Sequence, residues 1–418
     1  MCRAAEKIKR RGEQTDNSAD KEHLMQRILL HTPEGVRDIY GDEYQKKTQI
    51  EEKINRCLFS YGYRGISTPT FEFFDVFGKE RGSVPSKNLY KFFDREGNTL
   101  VLRPDMTPAM ARAASKYYSD VNVPIKLCYC GNTYINNSEL QGKLKECTQV
   151  GGELIGDGSV DADAEVISIV IDSMLSAGLD DFQVEIGNVE FFNGVLEDAV
   201  LTDEDAGNLK RLIEAKNNFG VESMLQETGV DPCVRDVLLS LPQLFGSAKV
   251  LEEARKLTKN RRAIGALDRL CELFDILNEC GYARYISFDL GVLSNFEYYT
   301  GIIFKTYTYG TGDTVVTGGR YDNLLSQFGK DAPAVGFGIY LDQLLLALER
   351  QGVRESAGRS GTMIIYDRAH RAQALGLAGE IRQSGKSANL VPIDDGTDDA
   401  EYVSAAKRDG FDEVVFLR

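Results

Sequence analysis

Long apolar runs are absent from this chain of 418 residues. No stretch approaches the ~18 consecutive apolar residues that a membrane-spanning helix requires. Residues 1–24 also lack the apolar core of a secretory signal, because they are polar and of mixed charge. These absences argue against a membrane protein and predict a cytoplasmic location, with residues 1–24 as a disordered extension.

Histidine is scarce, and the three histidines are His23, His31 and His370. Because imidazole is the side chain used most often for general acid-base catalysis, this scarcity argues against a hydrolase. The eight cysteines include no C-x-x-C pair. A cluster of Cys128, Cys130 and Cys147 would lack a fourth metal ligand. We therefore predict free cysteines in a reducing compartment, no metal site and no cofactor.

Basic residues are outnumbered by acidic ones, 49 to 64, which gives a net charge of −15. Nucleic-acid binding draws on lysines and arginines that neutralise phosphates. The acidic balance therefore argues against tRNA or another polyanion as the main partner. The hydrophobic fraction of 42% is ordinary for a soluble globular protein, and the length suggests two to three domains.

Hydrophobic periodicity divides the chain into a core, an insert and a tail. The core spans 25–350 and mixes helix-like with strand-like segments, among them a strand at 63–77 that is interrupted at Pro69. Helical periodicity dominates from about 201 to 280, which predicts an inserted helical module. A linker at 351–360 leads to 361–418, where strands alternate with helices as in a small parallel-sheet domain.

Four segments carry the most specific signal in the chain. They are 102–107 (LRPDMT), 142–149 (GKLKECTQ), 297–301 with 318–322 (EYYTG and GGRYD), and 336–344 (GFGIYLDQL). In that order they resemble the first amino-acid-binding segment, motif 2, the histidine signature and motif 3 of histidyl-tRNA synthetases. The resemblance implies an α+β fold of the class II aminoacyl-tRNA synthetase type: an antiparallel sheet flanked by helices, a helical insert, and a shortened α/β tail that resembles an anticodon-binding domain.

The arginines that hold ATP in that family are missing here. Ile135 and Asn137 stand where motif 2 places a phosphate-binding Arg and an adenine-binding Glu, and Gln343 replaces the last Arg of motif 3. An isoleucine cannot neutralise the charge that develops during adenylation. Two loop arginines are replaced by Lys143 and Lys145, which cannot form a bidentate fork. The resemblance thus implies a protein without adenylation activity of its own.

The amino-acid pocket of the family is kept. By resemblance, the histidine-binding residues are Asp105, Thr107, Gln149, Glu153, Tyr298 and Tyr299. An ammonium group needs an anionic acceptor, and an imidazole N–H can donate to a carboxylate or a phenol. The even spacing of Gln149 and Glu153 puts both on one face of a strand. Ser294 stands where the family places an Arg, so we expect the ligand carboxylate to be held differently.

A histidine pocket without an ATP site resembles the ATP phosphoribosyltransferase regulatory subunits, which are paralogues of the synthetase. The segment 29–38 (LLHTPEGVRD) is also typical of them. The resemblance implies a non-catalytic subunit that supports a short-form catalytic phosphoribosyltransferase. It further implies that L-histidine acts as an effector on the first step of histidine biosynthesis. Motif 1, which matches 63–77, implies a homodimer within a larger hetero-oligomer.

Two alternatives stay open at this point. A divergent histidyl-tRNA synthetase, whose lysines replace the lost arginines, would charge tRNA. An amino-acid-binding domain that regulates an unrelated enzyme would bind histidine without a phosphoribosyltransferase partner. The sequence favours the regulatory subunit because the changes fall on ATP-binding positions while the amino-acid pocket persists.

Overall fold

The computed structural model describes residues 30–78, 84–137, 143–215, 217–292, 298–353, 361–393 and 398–418. The extension expected at 1–24, most of the expected linker and Ser294 lie outside these residues. In the described part of the chain, no helix is long and apolar enough to cross a bilayer. The chain forms two compact units. One contains the residues up to Asp38 with Glu51–Gln351, and the other contains Ile39–Ile50 with Gly352–Arg418.

Twelve α-helices lie in the described ranges. They are α1 Gly41–Ser60, α2 Thr107–Tyr117, α3 Val160–Ser176, α4 Val189–Ala199, α5 Asp203–Glu214, α6 Asn218–Glu227, α7 Pro232–Ser240, α8 Lys249–Leu257, α9 Arg261–Glu279, α10 Leu341–Arg350, α11 Arg371–Gln383 and α12 Asp399–Arg408. Short 3-10 helices occur at Phe74–Phe77, Ser86–Asn88, Leu241–Gln243, Ala283–Tyr285 and Leu325–Phe328.

The described strands form three sheets. They are β1 Arg64–Gly65, β2 Phe71–Phe73, β3 Lys91–Phe93, β4 Thr99–Leu102, β5 Ile125–Tyr134, β6 Glu146–Ile155, β7 Phe182–Asn188, β8 Phe245–Gly246, β9 Ile286–Asp289, β10 Ile302–Thr308, β11 Val316–Arg320, β12 Ala334–Tyr340, β13 Gly361–Tyr366, β14 Ser387–Pro392 and β15 Glu413–Leu417. A nine-stranded sheet has the order β1-β5-β6-β12-β11-β10-β7-β9-β8. The two smaller sheets are β2-β4-β3 and β14-β13-β15.

The centre of the large sheet is antiparallel and buried. β5 and β6 pair over their full length, and β12 pairs with the other edge of β6. Eight consecutive residues at the end of β6 are buried, so this strand lies inside the molecule. The α3 helix supplies much of the apolar covering, because most of its residues are buried and Ile167, Val170 and Ile171 have no exposed surface.

The strand expected at 63–77 is two short strands in different sheets. β1 pairs in parallel with β5, whereas β2 pairs antiparallel with β4. Pro69 lies between them and has no N–H for a sheet ladder. The chain then turns into the 3-10 helix Phe74–Phe77. The interruption that Pro69 indicates is therefore a change of sheet.

Helices α5 to α9 form the helical module. Three of these helices begin at a residue whose side-chain amide or hydroxyl group caps the first turn. Thr202, Asn217 and Asn260 accept backbone N–H groups at the starts of α5, α6 and α9. Asn260 accepts from two residues, Arg262 and Ala263, which fixes where α9 begins. α9 then packs beside α3 and α4 with a buried leucine face.

The second unit contains a parallel sheet with α11 and α12. β14 and β15 both pair in parallel with β13, as the alternation of strands with helices in 361–418 predicts. Met363 and Ile365 face one apolar cluster while Ile364 faces another, so both faces of β13 are covered. The likeness of this unit to a truncated anticodon-binding domain stays a prediction.

Arg103 joins two parts of the first unit by hydrogen bonds from a buried guanidinium. Its Nε donates to the carbonyl of Asn132 at 2.7 Å, and its Nη1 donates to the carbonyls of Thr68 at 2.8 Å and Pro69 at 3.3 Å. A side chain at Gly131 would collide with this guanidinium. The residue is therefore structural, although it lies two positions before the predicted ligand-binding Asp105.

We expect Arg103→Met to lower the free energy of unfolding by about 2–4 kcal/mol, because it leaves buried carbonyls without donors. Urea denaturation followed by circular dichroism measures the loss. Lys256→Met on the exposed side of α8 is the control, with an expected change below about 0.5 kcal/mol. Equal effects of the two substitutions would contradict the structural role of Arg103.

Candidate functional site

A pocket with about 320 Å³ of empty volume, part of it open to solvent, lies on the large sheet. Its walls come from the loop before α2, from β5, β6, β11 and β12, and from the segment before β10. Five of the six predicted binding residues line it, namely Asp105, Thr107, Gln149, Tyr298 and Tyr299. The sixth, Glu153, contacts the lining residue Thr107. The structure thus brings all six together.

Glu153 is fully buried in the middle of β6. Thr107 Oγ1 donates to its Oε1 at 3.0 Å, and the Tyr321 hydroxyl donates to its Oε2 at 2.5 Å. Gly336 is its cross-strand neighbour on β12, and a Cβ there would overlap Oε2. The glycine is thus required for the carboxylate to lie where both hydroxyls reach it.

Asp105 occupies the turn that leads into α2. Its Oδ1 accepts the Thr107 backbone N–H at 3.3 Å, and its Oδ2 accepts the Tyr298 hydroxyl at 3.0 Å. The N-terminus of α2 favours a carboxylate at this position because its free N–H groups carry partial positive charge. Asp105 is half-buried and lines the pocket, so it can also accept from a bound cation.

Three tyrosine rings form an edge-to-face cluster around the two carboxylates. The ring centres of Tyr298 and Tyr299 are 4.9 Å apart, and those of Tyr298 and Tyr321 are 5.8 Å apart. Burial, reinforced by the neighbouring carboxylates, raises the pKa of all three phenols well above the ordinary value. The phenols therefore stay protonated and act as donors.

Sequence reasoning missed Tyr321 and Tyr129 as site residues. Tyr321 lies inside the 318–322 segment, and its position next to Arg320 puts the two side chains on opposite faces of the sheet. Tyr129 lies on β5 and donates to the Phe337 carbonyl at 3.2 Å. Tyr129 lies two residues before Gly131, and Gly131 pairs with the predicted binding residue Gln149 across β5 and β6. This spacing could have indicated Tyr129 as a site residue.

Burial raises the pKa of the Glu153 carboxyl to about 8, and the nearby Asp105 adds to this effect. The hydrogen bonds from Tyr321 and Thr107 favour the ionised form but do not offset the lost hydration. Asp105 thus lines the pocket, and the second acid, Glu153, lies behind the lining. A cationic ligand would favour the ionised form of Glu153. This arrangement suits a small molecule with an ammonium group and an N–H donor.

The positions where the sequence predicts a loss of ATP ligands lie after β5, at Ile135 and Asn137, and in α10, at Gln343. Ile135 donates its backbone N–H to the Lys145 carbonyl at 2.9 Å, and the Asn137 amide contacts the Leu144 carbonyl at 3.4 Å. Gln343 lies in the first turn of α10, where no catalytic cation stands.

Carboxylates engage two cations near those positions. Lys143 Nζ lies 3.6 Å from Asp313, and Arg37 lies 3.9 Å from Asp342. Asp342 also accepts the Thr148 backbone N–H at 2.9 Å. Both cations therefore already lie near a carboxylate.

Comparisons with known proteins identify the family of this chain. The histidyl-tRNA synthetase family profile matches residues 35–344. The ATP phosphoribosyltransferase regulatory subunit of Ruminiclostridium cellulolyticum is 39% identical over 394 residues, which cover 94% of this chain and 94% of that protein. The chain belongs to the ATP phosphoribosyltransferase regulatory subunit family. That membership is the one expected from the sequence.

Solved structures confirm the expected class II synthetase-like fold of this regulatory-subunit family member. An ATP phosphoribosyltransferase regulatory subunit/histidyl-tRNA synthetase from Bacillus halodurans has a TM-score of 0.84 and 32% identity, over 93% of this chain and 99% of that one. A histidyl-tRNA synthetase from Nostoc sp. PCC 7120 has a TM-score of 0.75 at 19% identity, over 91% and 90% of the chains, and supports the fold alone.

We expect Glu153 to make the regulatory-subunit fold less stable as pH rises from about 4.5 to about 8. In that window the folded protein keeps a proton that the unfolded chain has released. The unfolding free energy therefore falls with pH, by up to about 1.4 kcal/mol per pH unit for one proton. Glu153→Gln cannot ionise and should remove this contribution.

Urea denaturation at pH 5, 6, 7 and 8 measures the effect. Glu153→Gln should gain stability relative to the unsubstituted protein as pH rises. Glu96→Gln, at an exposed turn position, is the charge-matched control and should follow the unsubstituted protein. Identical pH dependence of Glu153→Gln and the unsubstituted protein would show that Glu153 is ionised throughout.

Proposed function

We propose that this chain is a non-catalytic regulatory subunit of ATP phosphoribosyltransferase in the cytoplasm. It supports a short-form catalytic subunit and mediates feedback by L-histidine on the first step of histidine biosynthesis. The observation that carries the proposal is a pair of acids at one pocket: Asp105 lines it, and the buried Glu153 lies behind its lining residues Thr107 and Tyr321, whose hydroxyls donate to the Glu153 carboxyl group. Family membership supplies the regulatory context.

Histidine presents the groups that the two acids accept. Its α-ammonium matches the half-buried Asp105 carboxylate, and its imidazole N–H matches the fully buried Glu153. Gln149, which is buried and lines the same pocket, supplies an amide that both donates and accepts. Histidine regulates the complex by binding one conformation more tightly than another, because a ligand without differential affinity shifts no equilibrium.

The absence of adenylation activity is part of the proposal. Ile135, Asn137 and Gln343 offer no cation for the phosphates of ATP. Asp342 and Asp313 add negative charge near those positions and already engage Arg37 and Lys143. No cluster of three or more His, Cys, Asp or Glu residues that could hold a metal ion occurs in the described ranges.

An exposed aromatic face supports a homodimer that forms through 63–77 and lies within the larger hetero-oligomer. Phe71 and Phe73 on β2 are 53% and 55% exposed, and Phe92 on β3 is 37% exposed. The rings of Phe71 and Phe92 contact edge to face at 5.8 Å. Aromatic residues clustered in water are typical of surfaces that a second protein covers.

We expect Asp105→Asn to weaken histidine binding about 10–100-fold, because a charge-assisted hydrogen bond to the ammonium group is lost. Isothermal titration of the purified protein measures the affinity. The same variant should raise the histidine concentration that inhibits its complex with a short-form phosphoribosyltransferase. Glu96→Gln should leave both values unchanged, and unaltered histidine affinity in Asp105→Asn would place the effector elsewhere.

A divergent histidyl-tRNA synthetase is the second candidate, because the Bacillus halodurans structure carries both names. ATP–pyrophosphate exchange in the presence of histidine separates the two functions. We expect no exchange above background from the purified chain, because the phosphate-binding arginines are replaced. Histidine-dependent exchange at a synthetase-like rate would sink the regulatory proposal, and charging of tRNA would then be the activity to measure.

A further inference from the structure

A buried acid on α3 lies between two arginines from distant parts of the chain. Asp163 has no exposed surface. Its Oδ1 lies 2.6 Å from Nη2 of Arg320, and its Oδ2 lies 2.6 Å from Nη2 of Arg269. Arg320 ends β11 and is 3% exposed, whereas Arg269 belongs to α9 in the helical module. One carboxylate thus connects the sheet to the module.

Both arginines also hold the loop at 156–159, which follows the strand that carries Glu153. Arg320 donates to the carbonyls of Asp157 at 3.0 Å and Ser159 at 3.2 Å. Arg269 donates to the carbonyls of Gly158 at 3.1 Å and Ser159 at 3.0 Å. A shift of either guanidinium therefore acts on the end of β6.

The same strand segments line the acid-lined pocket on the other face of the sheet. Tyr321 follows Arg320 directly and donates to Glu153 at 2.5 Å. The Arg320 carbonyl accepts the Thr300 backbone N–H at 2.8 Å, and Thr300 follows Tyr299. Because neighbouring residues in an extended chain point to opposite faces, one backbone segment holds a pocket tyrosine and the Asp163 ion pair.

A second cavity, with about 530 Å³ of empty volume, separates α9 from these strand segments. Gly265 and Ala266 form its wall on α9, and Thr300 and Gly301 form part of the opposite wall. α9 packs on α3 and α4, but this gap separates it from the strand segments at Thr300 and Gly301. Arg269 links α9 to those segments through the Asp163 carboxylate, which also pairs with Arg320.

We propose that Arg269, Asp163 and Arg320 couple occupancy of the acid-lined pocket to the position of α9, so that histidine is sensed in the helical module. Arg269 is a positioning residue in this mechanism. The inference rests on the proposed function, because it needs histidine in the pocket. The inference names α9 as the element that responds to the ligand, which the proposed regulatory role does not specify.

Hydrogen exchange of the full chain with and without histidine tests this coupling. In the unsubstituted protein, histidine should slow exchange across α9, Arg261–Glu279, as well as in β6. Arg269→Gln should retain slowing in β6 but lose it in α9, and its histidine affinity should fall at least about fivefold. Arg269→Lys, which keeps the charge without the planar fork, should restore part of both effects.

Arg262→Gln is the matched control. Arg262 lies on the same helix beside the same cavity but pairs with Glu190 and Glu197. It should therefore retain the histidine response of α9. A loss of the response equal to that of Arg269→Gln would overturn the route through Asp163.

Hydrogen exchange of the unsubstituted protein tests the coupling between the pocket and α9 even where a variant fails to fold. Histidine binding that protects β6 and leaves α9 unchanged would overturn the coupling and leave the proposed function standing. An absence of histidine binding by isothermal titration would overturn both. Protection of α9 that depends on Arg269 and not on Arg262 supports the coupling.

Discussion

The site depends on one buried carboxylate, that of Glu153, in the centre of an antiparallel sheet. An acid without exposed surface is costly to ionise, and the two hydroxyls that donate to Glu153 offset only part of that cost, while the absence of a side chain at Gly336 leaves space for the carboxyl group. Thr107 and Tyr321 come from distant segments, so the carboxylate fixes how those segments meet. The pocket, its tyrosine cluster and the Asp105 turn are arranged around this contact.

The two halves of a synthetase-like site have different fates in this molecule. The amino-acid side keeps its acids, hydroxyls and rings at hydrogen-bonding distance. At the positions that the resemblance assigns to ATP binding, Ile135 and Gln343 offer no charge, and Arg37 lies 3.9 Å from Asp342. Recognition of an amino acid needs only the first half, and activation of its carboxyl group needs both. Under the proposed function, the fold retains a sensor without the catalyst.

The resemblance to the synthetase family predicted the architecture, and five of the six residues that it named line one pocket, with Glu153 behind them; their role in binding histidine stays a prediction. Sequence reasoning failed where the decisive contact joins residues far apart in the chain. Tyr321 reaches Glu153 across 168 positions, and Arg320 reaches Asp163 across 157. Local spacing also does not show that a chain changes sheets at Pro69. The expected boundaries of the domains and the likeness of the tail to an anticodon-binding domain stay predictions.

The contact between Gly336 and Glu153 also bears on how relatives of this protein diverge. The two residues face each other across β12 and β6, and one carboxylate oxygen occupies the volume that a methyl group at 336 would fill. Position 336 therefore cannot gain a side chain while Glu153 keeps this position. A relative with a side chain at 336 must carry a shorter or reoriented residue at 153, so the two neighbouring strands are expected to change together at these positions.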